Sequence, residues 1–402
     1  MIATVPLIHP TPLSPPRAAL GTLPVQAELV TDTALPAGWA EAWEQRFLAG
    51  GHEPSTSAEW TRGLARHHAE PGDRLLVVRL SRGTESVGFV PLVARRAHVL
   101  KMPCMVLQPL SEQFNTHSDL LLARTDAETL DALLTALERL PIRWDVFRMS
   151  KLLEDSPLVR GLDAAATSRG WTSAVRDWRA SYCLPLPASF DAYLAGRSAK
   201  FRNHAKRAEK KLRAAGSIEV CEITSGDEWD AGYEALLAVE RASWKADEGV
   251  AIATVAAQAA FYREVGRAAA ARGRLHLHLL RLDGVPIGHN LGYLHAGRYA
   301  YLKTTYAAEH RPLSPSTFLR LRLIESLIAR GCGSIDFPGM PYEWERQWTE
   351  VHRWQKVVSL YPATARGRMF AALDRWSHHW SPTRQIEHGA TRPGTVADSH
   401  AE

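Results

Sequence analysis

Apolar and polar positions alternate with two distinct periods along this chain, and the two are interleaved. Strict alternation or short apolar runs mark strands at 74–80 (RLLVVRL), 85–93 (ESVGFVPLV), 274–282, 285–294 and 298–306 (RYAYLKTTY). Three- and four-residue spacing marks helices at 126–140, 261–273 and 317–331, the last two closing on Gly273 and Gly331. Asp283-Gly284 between two strands is a tight hairpin signal. From 261 onward the expected order is helix, hairpin, strand, turn, helix and a last strand at 334–337 (SIDF).

Much the same order occurs about 200 residues earlier, where the hairpin at 74–93 leads to the helix at 126–140 and a strand at 144–149. The two copies differ at the start of their last helix. The second copy opens it with Arg311-Pro-Leu-Ser314-Pro-Ser316-Thr317, small residues that leave the first-turn N–H groups open to an anion. The first opens it with Asp126 and Glu128, acids that satisfy the helix dipole themselves and repel phosphate. Ser314 followed by Pro315 also reads as an ordinary N-cap, and both roles can coexist.

A chain of 402 residues suits two domains, with ordinary apolar (46%) and charged (23%) content. The expected organisation is a Pro-rich N-terminus without regular structure (1–36), a first copy (37–185), a second copy (186–362), and a C-terminal helix and tail (363–402). No apolar run is long enough to span a membrane, and prolines at 6, 10, 12, 15 and 16 break any signal-like core, so the expected location is cytoplasmic. Cysteines 104, 183, 221 and 332 have no close spacing, which argues against a zinc site or a secreted disulfide framework. His276 and His278 share one strand face without a third ligand in the pattern, so no metal is expected. The net charge of +5 is uneven: Arg197 to Arg213 carries eight Lys or Arg against one Glu, with Leu194, Phe201, Ala205, Ala208 and Leu212 forming a docking face. The basic face reads as solvated surface, as a clamp for an anionic ligand, or as a contact for RNA phosphates.

These features together resemble the two-domain bacterial GNAT proteins of the CelD-like type, associated with cellulose or exopolysaccharide biosynthesis and distantly related to Fem-type aminoacyl transferases. The similarity rests on the GFVPL strand, Ser198-x-Lys200-x-Arg202, Glu240-Arg-x-x-Trp244, the Asp-Gly hairpin, Ser314-Pro315, and Asp336-Phe337-x-Gly339 followed by Tyr342. The chain departs from the pattern at Ser316, where glycine is usual, and at Glu343, where lysine is usual.

The resemblance implies an α/β (α+β) fold of tandem GNAT units, each a mixed, mostly antiparallel sheet flanked by helices. It implies an N-acyltransferase that carries an acyl group, from acetyl-CoA or another acyl-CoA, to a small-molecule or peptide amine between the two copies. Arg311, Ser314, Ser316 and Thr317, with Thr305 and Tyr306 at the end of the preceding strand, are the expected coenzyme contacts. His289 and Glu240 are candidate bases, Tyr342 a candidate acid for the leaving thiolate, and Asp336 an organiser of the late loop or a substrate contact. His289 and Asn290 read equally as a structural hydrogen-bonded pair, Glu240 as a surface helix face, and Tyr342 as a packed aromatic. Two alternatives stay open: a Fem-like transferase using charged tRNA, and a non-catalytic partner in envelope or polysaccharide assembly.

Overall fold

The computed structural model describes residues 23–30, 35–110, 115–337, 343–380 and 387–388. The first half contains β1 (Val25–Val30), α1 (Trp39–Leu48), α2 (Ala58–His67), β2 (Arg74–Arg82), β3 (Glu85–Val99), β4 (Met102–Pro109), β5 (Leu121–Leu122), α3 (Ala127–Glu138), β6 (Val146–Leu153), α4 (Pro157–Ser168) and β7 (Thr172–Pro185). The second half begins with α5 (Phe190–Ala195), α6 (Ala199–Ala215), β8 (Ile218–Ile223), α7 (Gly226–Arg241), α8 (Trp244–Asp247) and α9 (Ala256–Ala270). It continues through β9 (Leu275–Leu282), β10 (Val285–His295), β11 (Arg298–Tyr306), α10 (Pro315–Ala329), β12 (Ser334–Asp336), α11 (Glu343–Arg346), β13 (His352–Tyr361), α12 (Ala365–Trp380) and β14 (Glu387–His388). The architecture is mixed α/β, with one large and mostly antiparallel sheet flanked by helices, as the sequence leads one to expect.

The sheet runs β1-β2-β3-β4-β6-β13-β7-β12-β11-β10-β9-β8, without a break between the copies. The reason is an exchange of strands. β13, late in the second copy, lies between β6 and β7 of the first, and β7 in turn pairs with β12 of the second. Val358 and Leu360 of β13 accordingly sit in the core with α3 and α4.

Asp283 and Gly284 both take positive φ (49° and 82°), the left-handed pair that a tight hairpin requires. Val25–Val30 lies inside the segment expected to lack regular structure, yet it pairs antiparallel with β2 as a largely exposed edge strand, only Val25 and Val30 being partly buried. The basic segment is helix α6, preceded by the short α5 that ends at Gly196, with the Ser198 side chain accepting the Phe201 N–H at its start. Ala208 and Leu212 are buried while Lys206, Arg207, Lys210 and Lys211 are exposed, which matches the expected amphipathic division.

Helices α1, α2, α7 and α9 share one hydrophobic core on one face of the sheet, with Trp43, Trp60, Trp229 and Phe261 fully enclosed. Helices α5 and α10 pack with Tyr299, Tyr301, Ile335 and Phe337 on the opposite face. Both faces are closed across the junction between copies.

Candidate active site

Two irregularities of β11 create the site. Leu291 of β10 pairs with Lys303 and Gly292 with Tyr301, so Leu302 is an extra, bulged residue. Beyond it β11 has no strand partner on its other side among the described residues: β12 runs parallel to it over Arg298–Ala300 and ends at Asp336. The bulge turns consecutive side chains to one face, Leu302 packing on the α7/α9 core and the Lys303 ammonium standing 5.7 Å from the Tyr262 ring.

β11 leads into a short 3-10 turn, Ala308–Leu313, and then α10. Ser314 joins them at φ 54°, ψ 52°, the left-handed conformation a glycine would supply. In that conformation its side chain makes no capping hydrogen bond, so the N-cap expectation is corrected: Ser314 serves through its backbone. Arg311 is exposed at the turn, Ser316 is half-buried and Thr317 buried. The basic helix lies against this turn, with Lys211 Nζ donating to Pro312 O at 2.8 Å and His204 Nε2 3.3 Å from Thr317 Oγ1. Five of the six expected coenzyme contacts, Arg311, Ser314, Ser316, Thr317 and Tyr306, therefore lie at the turn or at the strand end leading into it. Thr305 is buried one position earlier on the parted strand, its hydroxyl unpartnered.

The first copy differs at each of these points. Asp126 Oδ1 accepts the Thr129 N–H at 3.0 Å at the start of α3. β4 and β6 also pair briefly, over two residues, but Asn115, Thr116, His117 and Ser118 are buried beside β6, with Ser118 N donating to Lys151 O.

His289 and Glu240 come together beneath α7, with His289 Nε2 3.0 Å from Glu240 Oε1 and both side chains sealed from solvent. Burial works against the Glu240 charge, but Lys245, His289 and the Ile252 N–H outweigh it and bring the carboxyl down to about 2. Burial lowers His289 below its ordinary range, so the ring is neutral. The tautomer follows: Nε2–H donates to the carboxylate and Nδ1 is left without a partner. Glu240 is thus a buried anchor rather than the surface helix face its sequence also allows. Lys245 stands 3.8 Å from it and donates to Thr304 O at 2.6 Å, tying the end of α7 to the parted strand. Burial first, and Lys245 next, lower Lys303 to about 8.

Asn290, next to His289 but facing the other way, accepts hydrogen bonds from the Tyr301 and Thr304 hydroxyls. It is a structural group under α10. Asp336 is buried where β12 last pairs with β11, and Arg353 Nη2 donates to its Oδ1 at 2.7 Å. Arg298 links Asp336 to Glu53, which comes from the first copy. Tyr342 lies outside the described residues.

Sequence reading missed Glu53, His117, Lys245, Lys303, Arg298 and Arg353. Only Lys303 left a signal, as a charge inside the aromatic strand RYAYLKTTY; the others meet through strand exchange. Among the described residues no group of three or more His, Cys, Asp or Glu is placed to hold a metal ion, and no helix is long and apolar enough to cross a membrane.

Residues 199–346 match the acetyltransferase (GNAT) domain family. No curated protein matches the sequence. Among solved structures, that of FemX is 11% identical, spans 86% of this chain and 99% of its own, and superposes with a TM-score of 0.57. A conserved protein of unknown function from Bacteroides thetaiotaomicron is also 11% identical, covers 83% of this chain and 100% of its own, and gives 0.52. A tandem GNAT protein from the clavulanic acid biosynthesis pathway is 15% identical over 84% of this chain and 100% of its own, with a TM-score of 0.45. At these identities the structural likeness concerns the fold alone; the domain match supports an acyltransferase in general.

Proposed function

We propose that this protein is an N-acyltransferase that moves an acyl group, most simply acetyl, from a coenzyme A thioester directly to an amine held between the two copies. The reading is carried by the end of β11: a bulge at Leu302, an open edge beyond Ala300, and a left-handed turn at Ser314 that starts α10. The N–H groups of Ser316 and Thr317, in a first helical turn, are suited to pyrophosphate oxygens, with the Arg311 guanidinium beside them. The exposed basic face of α6 adds positive potential around the same turn.

The open edge of β11, ending at Thr305 and Tyr306, can take the amide-bearing pantetheine arm as an extra strand. A backbone N–H at the Leu302 bulge then faces the thioester carbonyl and stabilises the oxyanion of the tetrahedral intermediate. The amine nitrogen bonds to the carbonyl carbon, the C–S bond breaks, and the thiolate leaves with a proton. Lys303, with its ammonium weakened by burial, is placed on the bulge to supply one, and Tyr342 remains the sequence-based candidate for that role. We read His289 and Glu240 as positioning residues: sealed under α7, they hold Lys245 and with it the strand edge that orients the thioester. A cytoplasmic location, where acyl-CoA is found, belongs to the same reading.

Calorimetric titration with acetyl-CoA tests the donor. Binding is expected, and Arg311→Ala combined with Ser316→Glu is expected to weaken it at least about tenfold, because a carboxylate in the first turn satisfies the helix dipole and repels phosphate. No binding by the parent protein would overturn the reading. Saturable, salt-dependent binding of charged tRNA in its place would favour the Fem-like alternative, and binding of neither ligand the non-catalytic one.

A further inference from the structure

Glu53 and Asp336 are buried carboxylates from different copies that meet beside the parted strands. Asp336 is 1% exposed; its carboxylate takes the Cys183 thiol, and among the described residues its Oδ2 has no close nitrogen or hydroxyl donor. Arg298 Nε is 3.6 Å from that oxygen. Glu53 is 5% exposed; Arg298 serves its Oε1, while among the described residues its Oε2 has only the Thr116 hydroxyl at 3.5 Å. The side chains of Arg298 and Arg353 are 30% and 29% exposed, so the two buried acids reach the surface through their arginine partners. Asp336 pairs with Ala300, two residues before the Leu302 bulge and roughly 7 Å along the strand.

We propose that Asp336 and Glu53 form a receptor for a primary ammonium group, the acceptor's own, and that Glu53 of the first copy is the base that takes its proton. This rests on the acyl-transfer reading above and supplies its acceptor side. Asp336 Oδ2 is a buried carboxylate oxygen held by Arg298 only at 3.6 Å, with room for a shorter bond that a cation with several N–H donors can supply and an anion cannot. Glu53 takes one ammonium proton and leaves the nitrogen lone pair free; that proton then passes to water, and the second nitrogen proton passes by solvent to Lys303, replacing the one given to the thiolate, as the amide forms. Burial, opposed by Arg298 and reinforced by Asp336 and Asp119, raises the Glu53 carboxyl to about 7, where a base can both accept and release a proton. The same cluster holds the His52–Asp119 pair and His117, which burial keeps neutral and on which Asp336, Arg353, Arg298 and Lys151 act. The first copy is then needed for chemistry although its own cleft is not shaped for a coenzyme.

The experiment uses the full chain and n-propylammonium chloride, with tetramethylammonium, which has no N–H, as the control. Saturable binding of propylammonium by calorimetry is expected, tightening as pH rises through about 7 as Glu53 gives up its proton. Proton release should appear as a dependence of the heat on buffer ionisation enthalpy. Asp336→Asn should weaken binding about tenfold or more, the value of one hydrogen bond to a charged group. Glu53→Gln should also weaken it and remove the pH dependence. No saturable binding, equal binding of tetramethylammonium, or unchanged behaviour in both variants would overturn the proposal. If either variant fails to fold, proton release by the parent protein decides it alone. Acetyl-CoA titrated in parallel separates the two ideas: loss of thioester binding sinks the donor reading, while loss of propylammonium binding sinks only the receptor.

Discussion

Ser314 shows how one residue can depart from a pattern and still meet its physical demand. The turn needs a left-handed residue, and serine adopts it at some cost in strain. Ser314→Gly is therefore expected to leave stability within about 1 kcal/mol of the parent, since relief of strain is offset by greater freedom in the unfolded chain. Ser314→Val, β-branched at positive φ, is expected to cost about 1–3 kcal/mol and to weaken acetyl-CoA binding; urea denaturation and calorimetry read the two effects. Glu240 is a sharper case. Its removal leaves half-buried Lys245 without its counter-charge and the buried His289 Nε2–H without an acceptor, so Glu240→Ala should cost about 3–5 kcal/mol by denaturant titration. A loss below about 1 kcal/mol would mean that the pair is not the anchor described here.

Glu53 and His117, close together at the junction, set opposite pH slopes at the same scale. Burial, with Arg353, Arg298 and Lys151 adding to it, lowers His117 from 6.5 to about 3, so between those values the unfolded chain holds a proton the folded one does not. His117 thus contributes stability above pH 6.5 that is lost as pH falls. Glu53, raised from 4.5 to about 7, holds its proton in the folded state across that interval, and its contribution is lost as pH rises through 7. Thermal unfolding between pH 4.5 and 6.5 should therefore show partial cancellation in the parent. Glu53→Gln should fall more steeply as pH drops, and His117→Asn should lose the acid-side decline; identical slopes in all three would contradict the assignments.

At the scale of elements, hairpins and amphipathic helices were legible because each is a local pattern. The Asp283-Gly284 turn and the buried face of α6 both follow their sequence signals. The bulge at Leu302 was not, because it depends on how β10 and β11 are paired rather than on residue type. Nor was the exchanged position of β13, whose apolar run is compatible with either half of the sheet. Leu360 lies in the second copy's sequence but is fully buried in the first copy's core. Leu360→Ala should cost about 2–5 kcal/mol, and limited proteolysis should then expose the first copy as well as the second.

For the whole molecule, the shared sheet and the shared core over α1, α2, α7 and α9 predict a single cooperative unfolding transition. Two resolved calorimetric transitions would show that the copies unfold separately in spite of the exchanged strands. Arg274 at the start of β9 reinforces the junction by reaching Glu44 and Glu59 in the first copy, and Tyr293 donates to Glu59 at 2.8 Å. A hinge opening of one copy against the other would break these buried contacts together.

The sequence by itself determined the elements, the mixed α/β class and the anion-suited start of α10, since hydrophobic period, hairpin chemistry and helix-start composition act over a few neighbouring residues. It also brought His289 forward, as a polar group inside an apolar strand, while Glu240 and Asp336 came forward through the family resemblance. Which of these groups meet was decided only by tertiary structure. His289 finds Glu240 because α7 crosses β10, and Asp336 finds Glu53 because strands from both copies share one sheet. Contacts between residues 49 and more than 200 positions apart depend on strand order, and no local pattern encodes that order.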